Sequence, residues 1–84
     1  GELCHFSRIQ VALLSGRSVV LCNVSYHTTV ASLKRQALVL LRDVHRKDFP
    51  KWRAYLAGKL SPCDGASTIY GAGLREGCVV QLAR

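Results

Sequence analysis

The chain opens with two short segments in which apolar side chains alternate with polar or small ones. Residues 8–14 have this period-two pattern, and an apolar pattern resumes over residues 19–21. Such alternation is typical of half-buried strands. The turn between the two segments contains Ser15-Gly16, and glycine adopts the positive φ that a tight turn often requires. The sequence therefore predicts a hairpin at the start of the chain.

A helix is predicted next. Thr28-Thr29 supplies side chains that commonly cap a helix N-terminus. The apolar residues that follow recur every three or four positions, which places them on one helical face. Phe49-Pro50 excludes further helix, because the residue before proline is driven out of the helical region. We expect about four turns ending by about Arg46, with an apolar stripe of Val30, Leu33, Ala37, Leu40, Leu41 and Val44.

The second half of the chain returns to strand patterns. Residues 52–56 alternate, and residues 61–65 carry Ser, Pro, Asp and Gly, which together indicate a turn. Residues 66–77 read as glycine-rich irregular structure anchored by Ile69 and Leu74, and residues 78–83 form a closing strand. The order strand, strand, helix, strand, long loop, strand indicates an α+β fold with one helix packed across one sheet.

Length and composition narrow the class of protein. A chain of 84 residues holds one domain, and its longest apolar run, residues 37–41, is far below the roughly 18 residues of a membrane span. No methionine is present, so we expect an excerpt of a longer protein. The four cysteines match neither a zinc ribbon nor a redox pair, so we expect free thiols and a cytoplasmic or nuclear location. The net charge of +7 makes this a basic domain and favours acidic partners.

Several local motifs resemble those of the ubiquitin-like proteins. Ala57-Gly58-Lys59 followed by Leu60 is similar to the A-G-K-x-L turn of that family, with one residue fewer. The segment 69–77 resembles its L-x-D-Y-G-I-x-x-G segment, and Val80-Gln81-Leu82 resembles its final strand. The resemblance implies a β-grasp fold with a mixed sheet of four to five strands and one main helix. It places the domain at residues 8–84, after an N-terminal arm or cloning remnant at 1–7.

The same resemblance implies which side chains fill the core. Alternation along the last two strands agrees with it, because Leu56, Val80 and Leu82 fall on one face of the sheet. The implied core consists of Ile9, Val11, Val19, Leu21, Val30, Leu33, Ala37, Leu56, Leu60, Ile69, Leu74, Val80 and Leu82.

The resemblance also implies a function. Conjugated relatives end in Gly-Gly, whereas this sequence stops at Arg84, so we expect an integral domain of a larger, intracellular protein rather than a modifier. It would act without catalysis, as a monomer, docking to ubiquitin-receptor or proteasome-type partners in the ubiquitin–proteasome pathway through the outer sheet face. The protein-binding patch carried over by position is Leu14, Tyr55, Gln81 and Ala83, with a rim of Arg53, Gly58 and Lys59.

Two alternatives remain open at this point. A β-grasp module resembling Ras-binding domains would contact an acidic small GTPase through its second strand and a basic edge of Arg17, Lys34 and Arg35. A nucleic-acid-binding domain would use the basic and aromatic residues of 42–53, but no nucleic-acid motif accompanies them, and we do not expect that partner. We expect no membrane partner.

Nothing in the sequence favours an enzyme or a cofactor. No G-x-S-x-G elbow is present, and Gly71-Ala72-Gly73 lacks the lysine and hydroxyl residue of a phosphate loop. Cys4-His5 and the pair Cys22 and His27 do not have the spacing of a standard metal site. We therefore expect a binding module with no cofactor and no metal.

Overall fold

A mixed four-stranded sheet with one helix packed across it organises the chain. The structure is a computed structural model that describes residues 4–42, 44–57 and 59–84. In chain order its elements are β1 (His5–Leu13), β2 (Ser18–Ser25), α1 (Val30–Leu41), a 3₁₀ helix (Arg46–Lys51), β3 (Arg53–Leu56), α2 (Ile69–Ala72) and β4 (Val79–Ala83). The predicted α+β, β-grasp architecture is confirmed.

The strand order is β2-β1-β4-β3, so the first and last strands lie together in the middle of the sheet. β1 runs antiparallel to β2 and parallel to β4, while β3 runs antiparallel to β4. Val11 pairs with Val19 on one side and with Val80 on the other. The two edges of the sheet are therefore β2 and β3.

The opening hairpin forms for the reason that the sequence indicates. Gly16 has a φ of 98°, a left-handed conformation that glycine adopts without steric cost. The amide of Leu13 donates to the carbonyl of Arg17 at 2.7 Å, which closes the turn. Ile9 then lies opposite Leu21, and both side chains face the helix.

Helix α1 begins as predicted and ends earlier. The hydroxyl of Thr29 accepts a hydrogen bond from the amide of Ser32 at 3.1 Å, which confirms the predicted N-cap. Arg42 then adopts a left-handed conformation, with φ at 60°, and this ends the helix at Leu41 instead of near Arg46. Residues 46–51 form the separate 3₁₀ helix, which contains Pro50.

The apolar stripe of α1 is rotated slightly from the predicted one. Leu40 is 54% exposed, because the buried arc of this short helix turns toward Leu38 and leaves Leu40 just outside it. Val44 is half-buried and packs against the core from beyond the helix. The buried stripe consists of Val30, Leu33, Ala37, Leu38 and Leu41.

The strand β1 begins three residues before the predicted start at residue 8. Phe6 is 1% exposed, and its ring centroid lies 4.5 Å from that of Tyr26. His5 and Phe6 pair with Ser25 and Val24 on β2. Residues 5–7 are thus part of the sheet rather than of an N-terminal arm, because an aromatic side chain at position 6 fills the end of the core.

The core differs from the implied one at several further positions. Leu60 is 99% exposed, and Val19 and Leu56 are only half-buried. In place of Leu60, Cys63 packs against the core, held by a 2.7 Å hydrogen bond from its amide to the carbonyl of Ala54. Leu41 is buried, as the predicted helix stripe has it, although the implied core omits it. The other buried residues that the implied core omits are Phe6, Leu13, Val24, Leu38 and Ala54.

The long loop after β3 contains a short helix, α2, where irregular structure is predicted. The hydroxyl of Thr68 caps it by accepting from the amide of Gly71 at 3.0 Å, and Ile69 is fully buried as expected. A side chain at Gly71 would bring its Cβ within 2.8 Å of that hydroxyl. The amide of Ile69 also donates to the carbonyl of Thr28 at 2.7 Å, so α2 is attached to the start of α1.

We expect Phe6→Ala to lower the free energy of unfolding by about 3–5 kcal/mol, the usual cost of emptying a buried aromatic site. Leu60→Ala is the matched control and should change it by less than about 0.5 kcal/mol, because Leu60 makes no buried contact to lose. Urea denaturation followed by circular dichroism measures both. Equal effects of the two substitutions would contradict the placement of these side chains.

Candidate functional site

The outer face of the sheet, opposite α1, brings together residues from three parts of the chain. Gln81 on β4 lies directly opposite Tyr55 on β3 and beside Ala12 on β1. Ala83 lies opposite Arg53 on the same pair of strands. Alternation produces this arrangement, since every second residue of β4 points away from the buried Val80 and Leu82.

A shallow depression of about 320 Å³ occupies one end of this outer face. Five of the residues predicted for the protein-binding patch line it, and three neighbours complete the wall. The predicted Arg53 lies beside it, across from Ala83, and the predicted Gly58 lies outside the described residues. The lining residues, which we call the outer-face patch, are Leu14, Tyr55, Leu56, Ala57, Lys59, Leu60, Gln81 and Ala83.

The outer-face patch is apolar and strongly exposed at two points. Leu14 is 74% exposed at the hairpin turn, and Leu60 is 99% exposed. Tyr55 is half-buried between them, which leaves part of its ring accessible. Lys59 is the one charged side chain in the lining, so the patch presents apolar area with a cation on its rim. Shallow apolar area with a polar rim is the usual anatomy of a protein interface.

Sequence reasoning misses Leu60 as a surface residue. The family motif assigns this leucine to the core, but the chain here has one residue fewer between Lys59 and Leu60. That shortening is the signal that could have placed Leu60 outside, because the shorter turn no longer delivers the side chain to the interior. Two further outward apolar residues, Val20 and Val79, flank Gln10 in the next row of the sheet and extend the apolar face.

The basic edge proposed for a small GTPase is divided between the two sides of the molecule. Arg17 lies in the turn that leads into β2, at one edge of the sheet. The Nζ of Lys34 donates to the carbonyl of Trp52 at 3.0 Å, immediately before β3 at the opposite edge. Arg35 is exposed on α1 and shares a surface depression with Leu21 of β2. The structure therefore does not gather these three cations along β2.

The aromatic residues of segment 42–53 are half-buried. Phe49 and Trp52 pack against the hydrophobic core, and the indole nitrogen of Trp52 is buried without a hydrogen-bond partner. The guanidinium of Arg84 lies 6.0 Å from the ring centroid of Trp52 and 3.8 Å from the carboxylate of Asp48. These rings shield the edge of the core, so they offer little free face for base stacking.

The cysteines of the described residues are free thiols in two environments. Cys4 and Cys22 are exposed, whereas Cys63 and Cys78 are half-buried against the core. Burial raises the pKa of the Cys63 thiol, because the thiolate loses solvation there. Within residues 4–42, 44–57 and 59–84, no three His, Cys, Asp or Glu side chains are grouped so that they could hold a metal ion. No helix in this part of the chain is both long and apolar enough to span a membrane.

Comparisons with proteins of known structure identify the fold. The chain is similar to the ubiquitin-like domain of an Arabidopsis thaliana protein, with a TM-score of 0.69 and 17% identity over 90% of this chain and 73% of that one. A designed protein based on ubiquitin gives a TM-score of 0.71 and 17% identity, covering 90% of this chain and 84% of the other. Ubiquitin of Caldiarchaeum subterraneum gives a TM-score of 0.72 and 16% identity, covering 93% of this chain and 90% of that one. No family model and no curated protein sequence matches the chain. The chain thus has a ubiquitin-like β-grasp fold.

We expect Cys63 to be alkylated by iodoacetamide several times more slowly than Cys22 in the folded protein at mildly alkaline pH. A raised pKa leaves less thiolate at a given pH, and partial burial restricts access. Mass spectrometry of the separated peptides over time measures both rates. In urea the two rates should converge, and a difference that persisted there would contradict a cause that depends on the fold.

Proposed function

We propose that this chain is a non-catalytic protein-interaction domain that docks to ubiquitin-receptor or proteasome-type partners through the outer-face patch. The observation that carries the proposal is the convergence of Leu14, Tyr55, Gln81 and Ala83 in one shallow apolar depression. These residues come from the hairpin turn and from two strands, and the resemblance to ubiquitin-like proteins assigns them to one patch. Protein partners, rather than small molecules, fit such an open and shallow surface.

The energy available at the outer-face patch is sufficient for a moderate affinity. Fully burying a leucine contributes about 1.5–3 kcal/mol, and both Leu14 and Leu60 have most of their surface left to bury. Tyr55 adds an aromatic ring with a polar end, a residue type that is common at the centre of interfaces. Ala83 contributes little area, so we place the main contacts on Leu14, Tyr55 and Leu60.

A partner helix with an apolar stripe and an acidic flank fits this surface best. The apolar stripe would lie over Leu14, Tyr55 and Leu60, and an acidic side chain would meet Lys59 on the rim. The exposed Arg53, beside Ala83, adds a second cation for the same flank. Rim charges of this kind steer association more than they strengthen it.

The second candidate is the contact with a small GTPase. It is favoured by the position of β2 at an edge of the sheet, where a partner strand could add to the exposed backbone. The hydrogen bond of Lys34 at the opposite edge counts against it, because that cation would not reach the same partner edge. Arg17 and Arg35 would have to supply the charge contact.

We expect Tyr55→Asp to weaken binding to an amphipathic helical peptide from a ubiquitin receptor by about tenfold or more, since it places a charge in the centre of an apolar contact. Fluorescence anisotropy with the labelled peptide measures the dissociation constant. Val39→Asp is the matched control, because Val39 is 49% exposed on α1, on the other side of the sheet, and should leave the affinity unchanged.

Two results would count against the proposal. Val39→Asp could weaken binding as much as Tyr55→Asp, which would remove the outer-face patch as the contact. Alternatively, Tyr55→Asp could bind normally while the combined Arg17→Glu, Lys34→Glu and Arg35→Glu variant loses binding to a GTP-loaded small GTPase, which would favour the second candidate.

A further inference from the structure

A second surface, on the side of the molecule that carries α1, has a different character from the outer-face patch. A groove of about 440 Å³ runs between α1 and the 3₁₀ helix. Its floor and walls combine three cationic side chains with three apolar residues. The lining, which we call the helix groove, consists of Ala31, Lys34, Arg35, Arg46, Phe49 and Pro50.

One of the three cations of the helix groove is held in place by the fold. Lys34 is half-buried, and its Nζ donates to the carbonyl of Trp52 at 3.0 Å, which holds the ammonium group at the groove wall. Arg35 and Arg46 are exposed on the two facing helices and reach the groove from opposite sides. An ammonium group has three donors, so Lys34 keeps donors for a ligand after its bond to Trp52.

The positive charge of the helix groove has no balancing anion in its lining. None of the side chains that line it in the described part of the chain is acidic. The carboxylate of Asp48, on the same 3₁₀ helix, lies 3.5 Å from Lys51 and 3.8 Å from Arg84 and does not line the groove. Helix α1 itself contains no acidic residue. Three cations that line one groove, with no acidic side chain in its described lining, create a local potential that attracts an acidic ligand.

The apolar part of the helix groove indicates which acidic ligand fits. Phe49 and Pro50 provide an apolar floor beside the cations, so a ligand that carries both carboxylates and aliphatic side chains is complementary to the whole groove. A single-stranded nucleic acid gains affinity from bases that stack on exposed rings, and Phe49 is half-buried against the core, so the groove offers less to that ligand. We propose that the helix groove binds an acidic peptide segment of a partner protein, with carboxylates on Lys34, Arg35 and Arg46 and an aliphatic side chain over Phe49 and Pro50.

The helix groove shares no lining residue with the outer-face patch, so this inference does not depend on the proposed function. It also differs from the GTPase candidate, because Arg46 and the 3₁₀ helix take no part in a contact along β2. A domain with both surfaces can hold an apolar helix on one side and an acidic segment on the other. Arg46 is the residue that distinguishes the helix groove from the outer-face patch and from the GTPase candidate.

The test uses a labelled synthetic peptide of repeating Asp-Glu-Leu units as the probe. Its neutral counterpart of repeating Asn-Gln-Leu units and a labelled single-stranded oligothymidylate are measured in parallel by fluorescence anisotropy. We expect the acidic peptide to bind and the neutral one not to bind. Arg35→Glu combined with Arg46→Glu should weaken binding roughly five- to tenfold, because each reversal replaces an attraction by a repulsion.

The single variant Arg46→Glu is measured as well, and its matched control is Lys47→Glu, which makes the same charge change on the same 3₁₀ helix at an exposed residue outside the groove lining. It should alter the affinity less than about twofold, because Lys47 does not line the groove and an exposed charge interacts only weakly through solvent. Amide chemical shifts recorded during the titration should change at Ala31, Lys34 and Phe49, and Tyr55→Asp should bind the acidic peptide as the native chain does.

Three outcomes would overturn the inference. If Lys47→Glu lowered the affinity for the acidic peptide as much as Arg46→Glu does, the peptide would be responding to net charge alone. Chemical shift changes centred on Tyr55 and Gln81 would place the peptide on the outer-face patch. Tighter binding of the oligothymidylate than of the acidic peptide, lost in the Arg35→Glu and Arg46→Glu variant, would assign the helix groove to nucleic acid.

Discussion

The parallel pairing of β1 with β4 is the constraint on which the rest of the structure depends. These strands come from opposite ends of the described chain, yet Val11 lies beside Val80 and Leu13 beside Leu82 in the middle of the sheet. Both edge strands pair with one of them, and α1 packs across the face that they present. The outer-face patch exists because this pairing brings the hairpin turn at Leu14 next to the last strand. Such non-local contacts carry a high entropic cost of loop closure, and both surfaces depend on the contact being made.

The outer-face patch is mainly apolar and the helix groove is basic, because the two surfaces are built from different secondary-structure elements. On the outer face, side chains stand roughly perpendicular to the sheet, and apolar residues such as Val20 and Val79 are exposed there. On the other side, the long side chains of Lys34 and Arg35 extend from a helix, where Lys34 donates to the carbonyl of Trp52 and Arg35 is exposed to water. The net charge of +7 is therefore not spread evenly, and part of it is concentrated beside the 3₁₀ helix.

Much of the fold could be predicted from the sequence, for reasons that the structure makes clear. Alternation identified the strands, and the hydroxyl of Thr29 and the flexibility of Gly16 marked the helix start and the hairpin turn. Prediction was poorer wherever a tertiary contact decides the outcome. Phe6 is buried because Tyr26 lies beside it, and Leu60 is exposed because a shortened turn cannot reach inward. The contact of Phe6 has no local signature, whereas the one residue missing between Lys59 and Leu60 is a local signal. The helix groove could not be predicted from the sequence either. Lys34 and Arg46 line one groove because α1 ends at the left-handed Arg42 and a separate 3₁₀ helix follows.

The position of the two central strands also has a mechanical consequence. β1 begins near one end of the described chain and β4 ends at the other, and the two run in the same direction. A pull on the two ends therefore drags β1 and β4 past one another along their length, and the hydrogen bonds between them are loaded together rather than opened one after another. Resistance to such a pull is set by the rate of unfolding and not by the equilibrium stability. In a protein that is drawn through a narrow channel or held under tension between two partners, this domain would act as a stiff element.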